Sequence, residues 1–241
     1  MTTIYHRTEM LIGTDAMAAL RQAHVAIAGI GGVGSYVVEA LARAGVGKLT
    51  LVDHDTIDIT NLNRQIHALQ STVGQPKVEA MAQRVQDINP DIEVITHQQM
   101  LLEDNFEEIF SGQYDYLVDA IDMVTAKVNM VLFAQERNIP IICSMGTANK
   151  LDNTGFVITD ISKTHTCPLA RVMRKALKDR GITKGVEVLY STVPALKVQG
   201  EAEEGKRIPP ASISYVPATA GLLLAGHIIQ QIIEKNSVKK L

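Results

Sequence analysis

The chain has 241 residues, which suits one large domain or two small ones and is long enough to enclose a substantial core. Apolar residues make up 46% of it and charged residues 20%, and the formal net charge is −3. This balance excludes a globally basic protein, so any nucleic-acid-binding surface has to be local. Two cysteines, Cys143 and Cys167, are too few for a disulfide framework or a four-thiolate zinc site, and they favour a reducing, cytoplasmic compartment.

The apolar segments of the chain do not favour a membrane protein. The first ten residues, MTTIYHRTEM, lack the apolar centre of a signal peptide. The most apolar stretch, residues 216–233, contains His227, Gln230 and Gln231, with Pro217 near its start. We therefore expect this stretch to be a buried amphipathic helix rather than a membrane span, and we expect no membrane partner.

Predicted strands alternate with predicted helices in the first part of the chain. Short apolar runs predict strands at residues 24–30, 48–53, 92–96, 114–121 and 139–145. Helical spacing and flanking glycine or proline residues predict helices at residues 8–23, 33–44, 76–88, 103–111 and 124–137. The alternation predicts a mainly parallel sheet with helices on both faces, which is a Rossmann-like, doubly wound α/β fold.

After about residue 150 the alternation loosens into a less regular C-terminal α/β extension. This part has predicted strands at residues 155–161 and 186–191, a helix at 168–180, a polar loop at 198–212 and a last helix at 218–234. We expect residues 1–147 to form a nucleotide-binding core and residues 148–241 to be the C-terminal part of the same domain.

A glycine-rich turn follows the first predicted strand and opens the next helix. Its glycines match the pattern GxGxxG and are Gly29, Gly31, Gly32 and Gly34. Such a turn lets backbone N–H groups approach a phosphate, and the helix N-terminus adds a partial positive charge. Asp53 ends the second strand, where a carboxylate can bind ribose hydroxyls. The motif predicts nucleotide binding without separating NAD, FAD, S-adenosylmethionine and ATP, and the lack of GxxxxGK excludes a P-loop NTPase.

The residues that follow Asp53 favour ATP over a dinucleotide. The segment HDTIDITNLNRQ, residues 54–65, supplies the further candidate ligands Asp55, Asn61, Arg64 and Gln65. Lys77 comes next, in GQPK at the start of a predicted helix. Arg64 and Lys77 bring two cations to the mouth of the site, where they can offset the charge of a triphosphate while pyrophosphate leaves. A NAD dehydrogenase does not need this pair.

Two acids end the next strand of the predicted sheet. The sequence YDYLVDAID places Asp119 and Asp122 at the carboxyl end of the sheet, where ligands bind open α/β sheets. A carboxylate there can hold Mg²⁺ directly or through water. Each of these residues alone fits a surface ion pair or a helix cap, but as an ordered set around one turn they predict a nucleotide site.

This order of motifs resembles a known family. GxGGxG, D-x-D, NLNRQ, G-x-P-K and DAID follow one another in the ubiquitin-activating-enzyme-like adenylyltransferases, which include the bacterial enzymes that adenylate sulfur-carrier proteins. The resemblance spans about residues 7–147 and implies an ATP-binding adenylation core. It also implies that Asp53 binds ribose, that Arg64 and Lys77 bind the phosphates, and that Asp122 binds Mg²⁺.

The same resemblance implies a homodimer with shared active sites. Arg7, in YHRTEMLIG, looks like the arginine that reaches across the dimer into the other ATP site. The implied catalytic residues are Arg7, Arg64, Lys77 and Asp122. The chain departs from carrier-activating members because it lacks their two Cys-x-x-Cys zinc pairs, and Met123 and Lys127 stand where many relatives have Asn and Arg. The missing zinc ligands indicate a different substrate branch.

A dense run of positive charge lies in the C-terminal part. Residues 163–184 carry seven of the 23 lysines and arginines, with a single acid. On a helix, one face would carry the cations Arg171, Arg174, Lys175 and Lys178, and the opposite face would carry Leu169, Val172, Met173, Ala176 and Leu177. With Lys163, these cations predict a surface that binds a phosphate backbone, whereas the flexible tail of a carrier protein needs no such surface. A solvated charged face is the alternative.

Two C-terminal segments narrow the resemblance. ISKTHTCPLARVMRKALKDRGI and SISYVPATAGLLLAG look like the tRNA threonylcarbamoyladenosine dehydratase branch, and the similarity then covers nearly the whole chain. Members use ATP to convert the threonylcarbamoyl modification of an adenosine beside the anticodon into a cyclic form. The resemblance implies ATP and Mg²⁺ as cofactors and tRNA as the molecule bound by the cationic face. Because the ring-closing nucleophile belongs to the substrate, no enzyme cysteine is required.

Three other functions stay open from the sequence. The first is adenylation of the C-terminus of a ubiquitin-like or sulfur-carrier protein. The second is a non-catalytic nucleotide-binding partner of a cysteine desulfurase or a sulfur-acceptor protein, and the weakest is a NAD dehydrogenase. Cys143 is expected in the core, and Cys167 is expected to be a non-catalytic thiol, with a thioester-forming role as the alternative by analogy with carrier-activating relatives.

Overall fold

A computed structural model describes residues 3–198 and 210–238, in which seven strands form one sheet. The strands are β1 (His24–Ala28), β2 (Lys48–Val52), β3 (Glu93–His97), β4 (Tyr116–Asp119), β5 (Ile141–Ser144), β6 (Phe156–Asp160) and β7 (Glu187–Ser191). Their order is β3-β2-β1-β4-β5-β7-β6, and every neighbouring pair is parallel except β6 and β7. The predicted mainly parallel α/β fold is confirmed, and the predicted C-terminal extension continues the same sheet.

Helices cover both faces of the sheet. In the described residues they are α1 (His6–Ile12), α2 (Thr14–Gln22), α3 (Gly34–Ala44), α4 (Lys77–Ile88), α5 (Phe106–Ile109), α6 (Val124–Glu136), α7 (Pro168–Lys178) and α8 (Tyr215–Val238). Short 3₁₀ turns lie at Ile59–Asn61 and Ile161–Lys163. Residues 199–209, most of the predicted polar loop, lie outside the described part of the chain.

Three predicted helices differ from the structure. The single helix expected at residues 8–23 is two helices, because Gly13 has a φ of 83° and breaks the chain between α1 and α2. The helix expected at 103–111 shortens to the four residues of α5. The last helix is longer than expected and begins at Tyr215, since Pro217 is tolerated in a first helical turn.

The strand side chains alternate between two apolar layers. Val25 and Ile27 of β1 pack into the layer formed with α2, α3, α4 and α8, whereas Ala26 and Ala28 pack into the layer formed with α5 and α6. A third cluster joins α6 to α7 and contains Met173. All five residues of β1 are buried, which explains why this strand is a continuous apolar run in the sequence.

Helix α8 is the longest of the described helices. By length and composition alone its residues 215–236 could cross a membrane, but half of that segment is buried inside the protein. Val216, Ala220, Leu224 and Ile228 lie one helical turn apart and belong to the main core. The buried-helix interpretation accounts for this face.

The chain changes direction across the sheet between β1 and β4. Strands β2 and β3 extend the sheet on one side of β1, and β4, β5 and β7 extend it on the other. Loops that leave the carboxyl ends of β1 and β4 therefore run in opposite directions and leave a crevice between them, which is where ligands bind open α/β sheets.

Candidate nucleotide-binding site

A cavity of about 370 Å³ lies at this crevice. Most of the predicted nucleotide-binding residues line it, namely Gly29, Gly31, Gly32, Asp53, Asp55, Asn61, Arg64, Gln65, Lys77 and Asp122. Residues that are far apart in the sequence are thus brought to one cavity of a size suited to a small molecule. A larger cavity of about 590 Å³ lies at the opposite edge of the sheet, beside Tyr116, Glu187 and Lys235, but it contains none of the glycine-turn residues.

Two glycines of the turn are required by its geometry. Gly29 has a φ of 87°, and a Cβ atom there would lie 2.6 Å from the carbonyl oxygen of Ala120. A Cβ atom on Gly34 would lie 1.8 Å from the carbonyl oxygen of Gly29, so Gly34 lets α3 start directly beneath the turn. Gly31 has no heavy atom within 4 Å of the Cβ position, which leaves open space beside the turn.

Asp53 holds the glycine turn as well as facing the cavity. Its Oδ2 atom accepts a hydrogen bond from the backbone N–H of Ile30 at 2.6 Å, and its Oδ1 atom accepts one from the N–H of Asp55 at 2.9 Å. Each carboxylate oxygen keeps a second lone pair for a ligand hydroxyl. Asp53, the predicted ribose-binding residue, therefore also links the glycine turn to the end of β2.

Asp55 and Lys77 form an ion pair on the cavity wall. The Lys77 Nζ atom lies 2.6 Å from Asp55 Oδ2. The lysine side chain is 7% exposed and the carboxylate is 49% exposed, so the pair presents its acid to solvent and its cation to the interior. Because Lys77 is the first residue of α4, its position follows from where that helix begins.

Arg64 is oriented by its own loop. Its Nη1 atom donates to the carbonyl oxygen of Thr60 and to Oδ1 of Asn63, both at 2.9 Å. Asn61 closes the preceding 3₁₀ turn, since its Oδ1 atom accepts from the N–H of Asp58 at 3.1 Å. The guanidinium thus has a fixed direction and keeps further N–H donors for a ligand.

Two buried polar side chains of this loop have atoms without a hydrogen-bond partner in the described part of the chain. The Oε1 atom of Gln65 has no hydrogen-bond partner among the described residues, although Gln65 is only 5% exposed and lines the cavity. His67 is 2% exposed and neither of its ring nitrogens has a partner there. Burial, with the nearby charges of Lys77 and Arg84, lowers the pKa of His67 to about 4, so the ring is neutral at pH 7.

Asp122 lies on an exposed loop after β4. Lys127 holds the backbone of that loop in place, because its Nζ atom donates to the carbonyl oxygen of Ile121 at 3.1 Å. Lys127 also pairs with the buried Asp119 at 2.8 Å. Asp119, the first acid of DAID, is therefore a structural ion-pair partner, and Asp122 is the acid that reaches the cavity.

Part of the cavity wall was not predicted as a nucleotide-binding surface from the sequence. It comes from loops after β3 and β5 and from the segment before α8, and the residues are Gln99, Met100, Leu101, Met123, Thr147, Ala148, Pro210, Ser212 and Pro217. Several of these side chains are apolar and can pack on the faces of a base. Loop residues of this kind carry no periodicity, so their convergence appears only in three dimensions.

The cationic face of α7 lies outside the cavity, and one of its members is less exposed than the spacing along the helix predicts. Arg171, Lys175 and Lys178 are exposed, as is Lys163 in the preceding 3₁₀ turn. Arg174 is half-buried, because its Nη1 atom donates to the carbonyl oxygen of Thr164 at 2.9 Å and also to the Thr164 hydroxyl.

The apolar face of α7 also needs a correction. Val172 is 50% exposed rather than packed on the protein, and the buried residues of the helix are Ala170, Met173 and Leu177. Val172 lies two residues, about 200°, from Ala170 on the helical wheel, and therefore points away from the core. Cys167, just before α7, is 4% exposed and packs in the core cluster, and Cys143 is fully buried in the same cluster, as expected.

Arg7 lies on α1, away from the cavity of its own chain. It is exposed, and no ion pair or hydrogen bond joins its side chain to the described residues. Around it, Ile4, Met10 and Leu11 are 66%, 75% and 85% exposed. The helix therefore presents a cation within an apolar surface.

A Rossmann-like sheet with a glycine turn, two cations and a carboxylate around one cavity defines a nucleotide-binding protein equipped for a polyphosphate. Residues 5–241 match the model of the ThiF family, and the chain belongs to this family. It is 44% identical to tRNA threonylcarbamoyladenosine dehydratase of Bacillus subtilis (strain 168), over 98% of this chain and 97% of that protein.

Solved structures agree with this assignment. The fold matches E. coli tRNA N6-threonylcarbamoyladenosine dehydratase in complex with ATP, with a TM-score of 0.89, 35% identity, and 97% of this chain and 95% of that chain covered. The AMP complex of the same E. coli protein gives a TM-score of 0.89 at 36% identity, with 96% and 94% covered. The resemblance predicted from the sequence is confirmed.

Proposed function

We propose that this protein is an ATP-dependent tRNA-modifying enzyme, which adenylates the carboxylate of threonylcarbamoyladenosine in tRNA and promotes its cyclisation. The observation that carries the proposal is the meeting of Arg64, Lys77 and Asp122 with the glycine turn at one cavity. A binding protein without chemistry has little use for this set, whereas adenylyl transfer has to neutralise the departing pyrophosphate. The substrate follows from the similarity to a dehydratase of that name along almost the whole chain.

The residues of the cavity fit ATP. The space beside Gly31 leaves room for a phosphate next to backbone N–H groups at the start of α3. Asp53 and the unpartnered Oε1 atom of Gln65 are acceptors for ribose hydroxyls. Arg64 and Lys77 supply the positive charge for the β- and γ-phosphates.

Mg²⁺ would be held by Asp122. Its carboxylate is exposed at the cavity, and hard oxygen ligands suit this ion. Ligand atoms of Asp53, His54 and Asp55 also lie within 4.8 Å of one another. Those two acids are already engaged by the glycine turn and by Lys77, so Asp122 is the better donor. When bound, Mg²⁺ offsets the negative charge of the triphosphate.

Adenylation converts the substrate carboxylate, which is a poor electrophile, into an acyl-adenylate, from which AMP is a good leaving group. A carboxylate oxygen of the substrate attacks the α-phosphorus of ATP, which forms an acyl-adenylate and releases pyrophosphate. A nucleophile of the same substrate then attacks the acyl carbon, closes the ring and expels AMP, so the nucleoside loses one water overall. Because the acyl carbon and the nucleophile belong to the same substrate molecule, this second step is intramolecular, and the buried Cys167 is not needed as a nucleophile.

The exposed cations of α7 support tRNA binding. Arg171, Lys175, Lys178 and Lys163 form a local basic surface on a chain whose net charge is −3. A phosphate backbone is attracted to such a surface through the release of counterions. The alternative function, activation of a carrier-protein C-terminus, is not favoured, because the relative matched over 98% of the chain is a tRNA dehydratase.

We further propose a cytoplasmic homodimer in which Arg7 enters the ATP site of the other subunit. The apolar surface around Arg7, formed by Ile4, Met10 and Leu11, supports burial of α1 against a second copy. A cysteine desulfurase or sulfur-acceptor protein stays a candidate partner from the sequence alone. The division of the chain near residue 147 also stays a prediction.

The deciding experiment supplies ATP, Mg²⁺ and tRNA that carries threonylcarbamoyladenosine. Nucleoside mass spectrometry should show loss of one water from the modified base, with release of AMP and pyrophosphate in equal amounts. Release of ADP and phosphate instead would contradict the adenylation mechanism. AMP formation with a sulfur-carrier protein but not with tRNA would favour the alternative function.

A further inference from the structure

A short segment before α8 lines the nucleotide cavity and is hydrogen-bonded to Asn149. We call residues 210–212 the strap, and two of its members, Pro210 and Ser212, line the cavity. Asn149 forms two hydrogen bonds with the third member, Ala211. The backbone N–H of Asn149 donates to the Ala211 carbonyl at 2.8 Å, and its Oδ1 atom accepts from the Ala211 N–H at 2.7 Å.

The same asparagine also holds the chain that leaves β7. Its carbonyl oxygen accepts from the N–H of Leu196 at 2.7 Å. Asn149 therefore bonds to both described parts of the connection between β7 and α8. It adopts a φ of 58°, a left-handed conformation that asparagine tolerates better than most residues.

The strap is hydrogen-bonded to Asn63, which in turn orients Arg64. The carbonyl oxygen of Ser212 accepts from Nδ2 of Asn63 at 3.1 Å. The other end of that amide, Oδ1, accepts from Nη1 of Arg64 at 2.9 Å. One amide thus links the strap to the cation proposed to bind the phosphates, and its two ends cannot move independently.

We propose that Asn149 is a positioning residue of the nucleotide site, which acts through the strap and Asn63 to hold Arg64 in its binding direction. Without the Asn149 side chain, Ala211 loses its acceptor and the Ser212 carbonyl is no longer fixed. Asn63 can then turn, and Arg64 loses one of its two acceptors. The inference rests on the proposed use of this cavity for ATP, and Asn149 belongs to none of the motifs quoted from the sequence.

The test compares two substitutions at position 149. Asn149→Gly keeps the left-handed backbone but removes the Oδ1 acceptor. Asn149→Asp keeps an oxygen at the same place and is the conservative rescue. The readouts are hydrogen exchange of the Ala211 amide and direct ATP binding by calorimetry, neither of which needs tRNA.

We expect faster exchange at Ala211 and about fivefold weaker ATP binding in Asn149→Gly, the size of one hydrogen bond, with both largely restored in Asn149→Asp. Asn63→Ala should weaken ATP binding as well, and the double variant Asn149→Gly/Asn63→Ala should be no weaker than the worse single variant, because both act through one link. Multiplied losses would mean independent effects and would overturn the proposal.

Three further results would also overturn it. These are unchanged exchange at Ala211 in Asn149→Gly, faster exchange with unchanged ATP affinity, and failure of Asn149→Asp to restore either readout. The proposed function fails differently. Native protein that binds ATP but forms no AMP with modified tRNA would contradict the enzyme activity and leave the ATP-binding comparison valid.

Discussion

The carboxylate of Asp119 and the ammonium group of Lys127 lie 2.8 Å apart, and neither side chain has any exposed surface. Lys127 also donates to the carbonyl oxygens of Ser144 at 2.8 Å and Ile121 at 3.1 Å. One buried cation thus joins the carboxyl ends of β4 and β5 to the loop that carries Asp122. Lys127 therefore has three oxygen partners, which offset part of the cost of burying its charge.

Lys127→Met should destabilise the protein strongly. The substitution leaves the Asp119 carboxylate buried without its cation, a change that costs about 3–5 kcal/mol. Urea unfolding should show this loss, and the double variant Lys127→Met/Asp119→Asn should recover part of it because no charge is left unpaired. A double variant as unstable as Lys127→Met would show that the pair itself is not the cause.

Lys77→Met should reduce kcat/KM for ATP by about 100-fold, the effect of losing one charge-stabilising group at a reacting phosphate. Asp55→Asn should cost about tenfold or less, since the substitution removes the ion-pair partner of Lys77 and keeps the lysine itself. AMP release at several ATP concentrations measures both. Equal losses in the two variants would contradict a direct role for Lys77, and thermal unfolding checks that each variant is folded.

The low pKa of His67 makes stability depend on pH. Burial depresses this pKa to about 4 in the folded protein, against the usual 6.5 in the unfolded chain. Between these values the unfolded chain binds more protons, so the free energy of unfolding falls as pH drops from 6.5 to 4, by about 3 kcal/mol for this residue.

His67→Leu should flatten that pH dependence. His24 and His97 also have pKa values lowered by burial, so part of the slope will persist in the variant. At pH 7 the variant should be as stable as the native protein or more so, because the ring nitrogens of His67 have no partners to lose among the described residues. Urea unfolding at pH 7 and pH 5 makes the comparison, and parallel curves for the two proteins would refute the prediction.

The fold and one half of the site, which consists of short sequence motifs, could be predicted because their signals are local. Buried parallel strands are continuous apolar runs, as the 24–30 segment and the observed His24–Ala28 strand illustrate. The glycine turn, Arg64 and Lys77 come from short motifs whose context fixes their place. The left-handed Gly13 was missed because the apolar spacing continues on both sides of it.

The other half of the site depends on contacts between distant residues. Asn63 and Ser212 are 149 positions apart, and no periodicity links them. The helical spacing places Arg174 in a row of cations that are expected to be exposed. Its guanidinium instead donates to the carbonyl oxygen of Thr164, ten positions earlier in the chain. Charge spacing along a helix gives the face of a residue, and only the packing of neighbouring segments decides whether that face is free.

The role of Arg7 can be tested by mixing inactive variants. Arg7→Ala and Asp122→Ala proteins should each be nearly inactive, because each lacks one part of every site. If Arg7 acts in the other subunit, mixed dimers contain one intact site, and subunit exchange should restore up to about one quarter of native activity. AMP release before and after exchange measures this, with mass spectrometry to prove that mixed dimers form. Exchange without recovery would rule out sharing of the sites between subunits.

The cationic face of α7 should contribute unequally to tRNA binding. Arg171→Ala, Lys175→Ala and Lys178→Ala should each lower the log–log salt slope of tRNA binding by about one, because each exposed cation releases about one counterion from the phosphate backbone. Arg174→Ala should change the slope less and instead lower the free energy of unfolding by about 1–3 kcal/mol, because its guanidinium is bonded to Thr164.

The control for these variants is Arg21→Ala, which removes an exposed cation on the opposite layer of the fold and should alter neither quantity. ATP affinity should stay constant in the α7 variants, since none of these residues lines the cavity. Equal slopes for native protein and the three exposed variants would mean that this face is merely solvated.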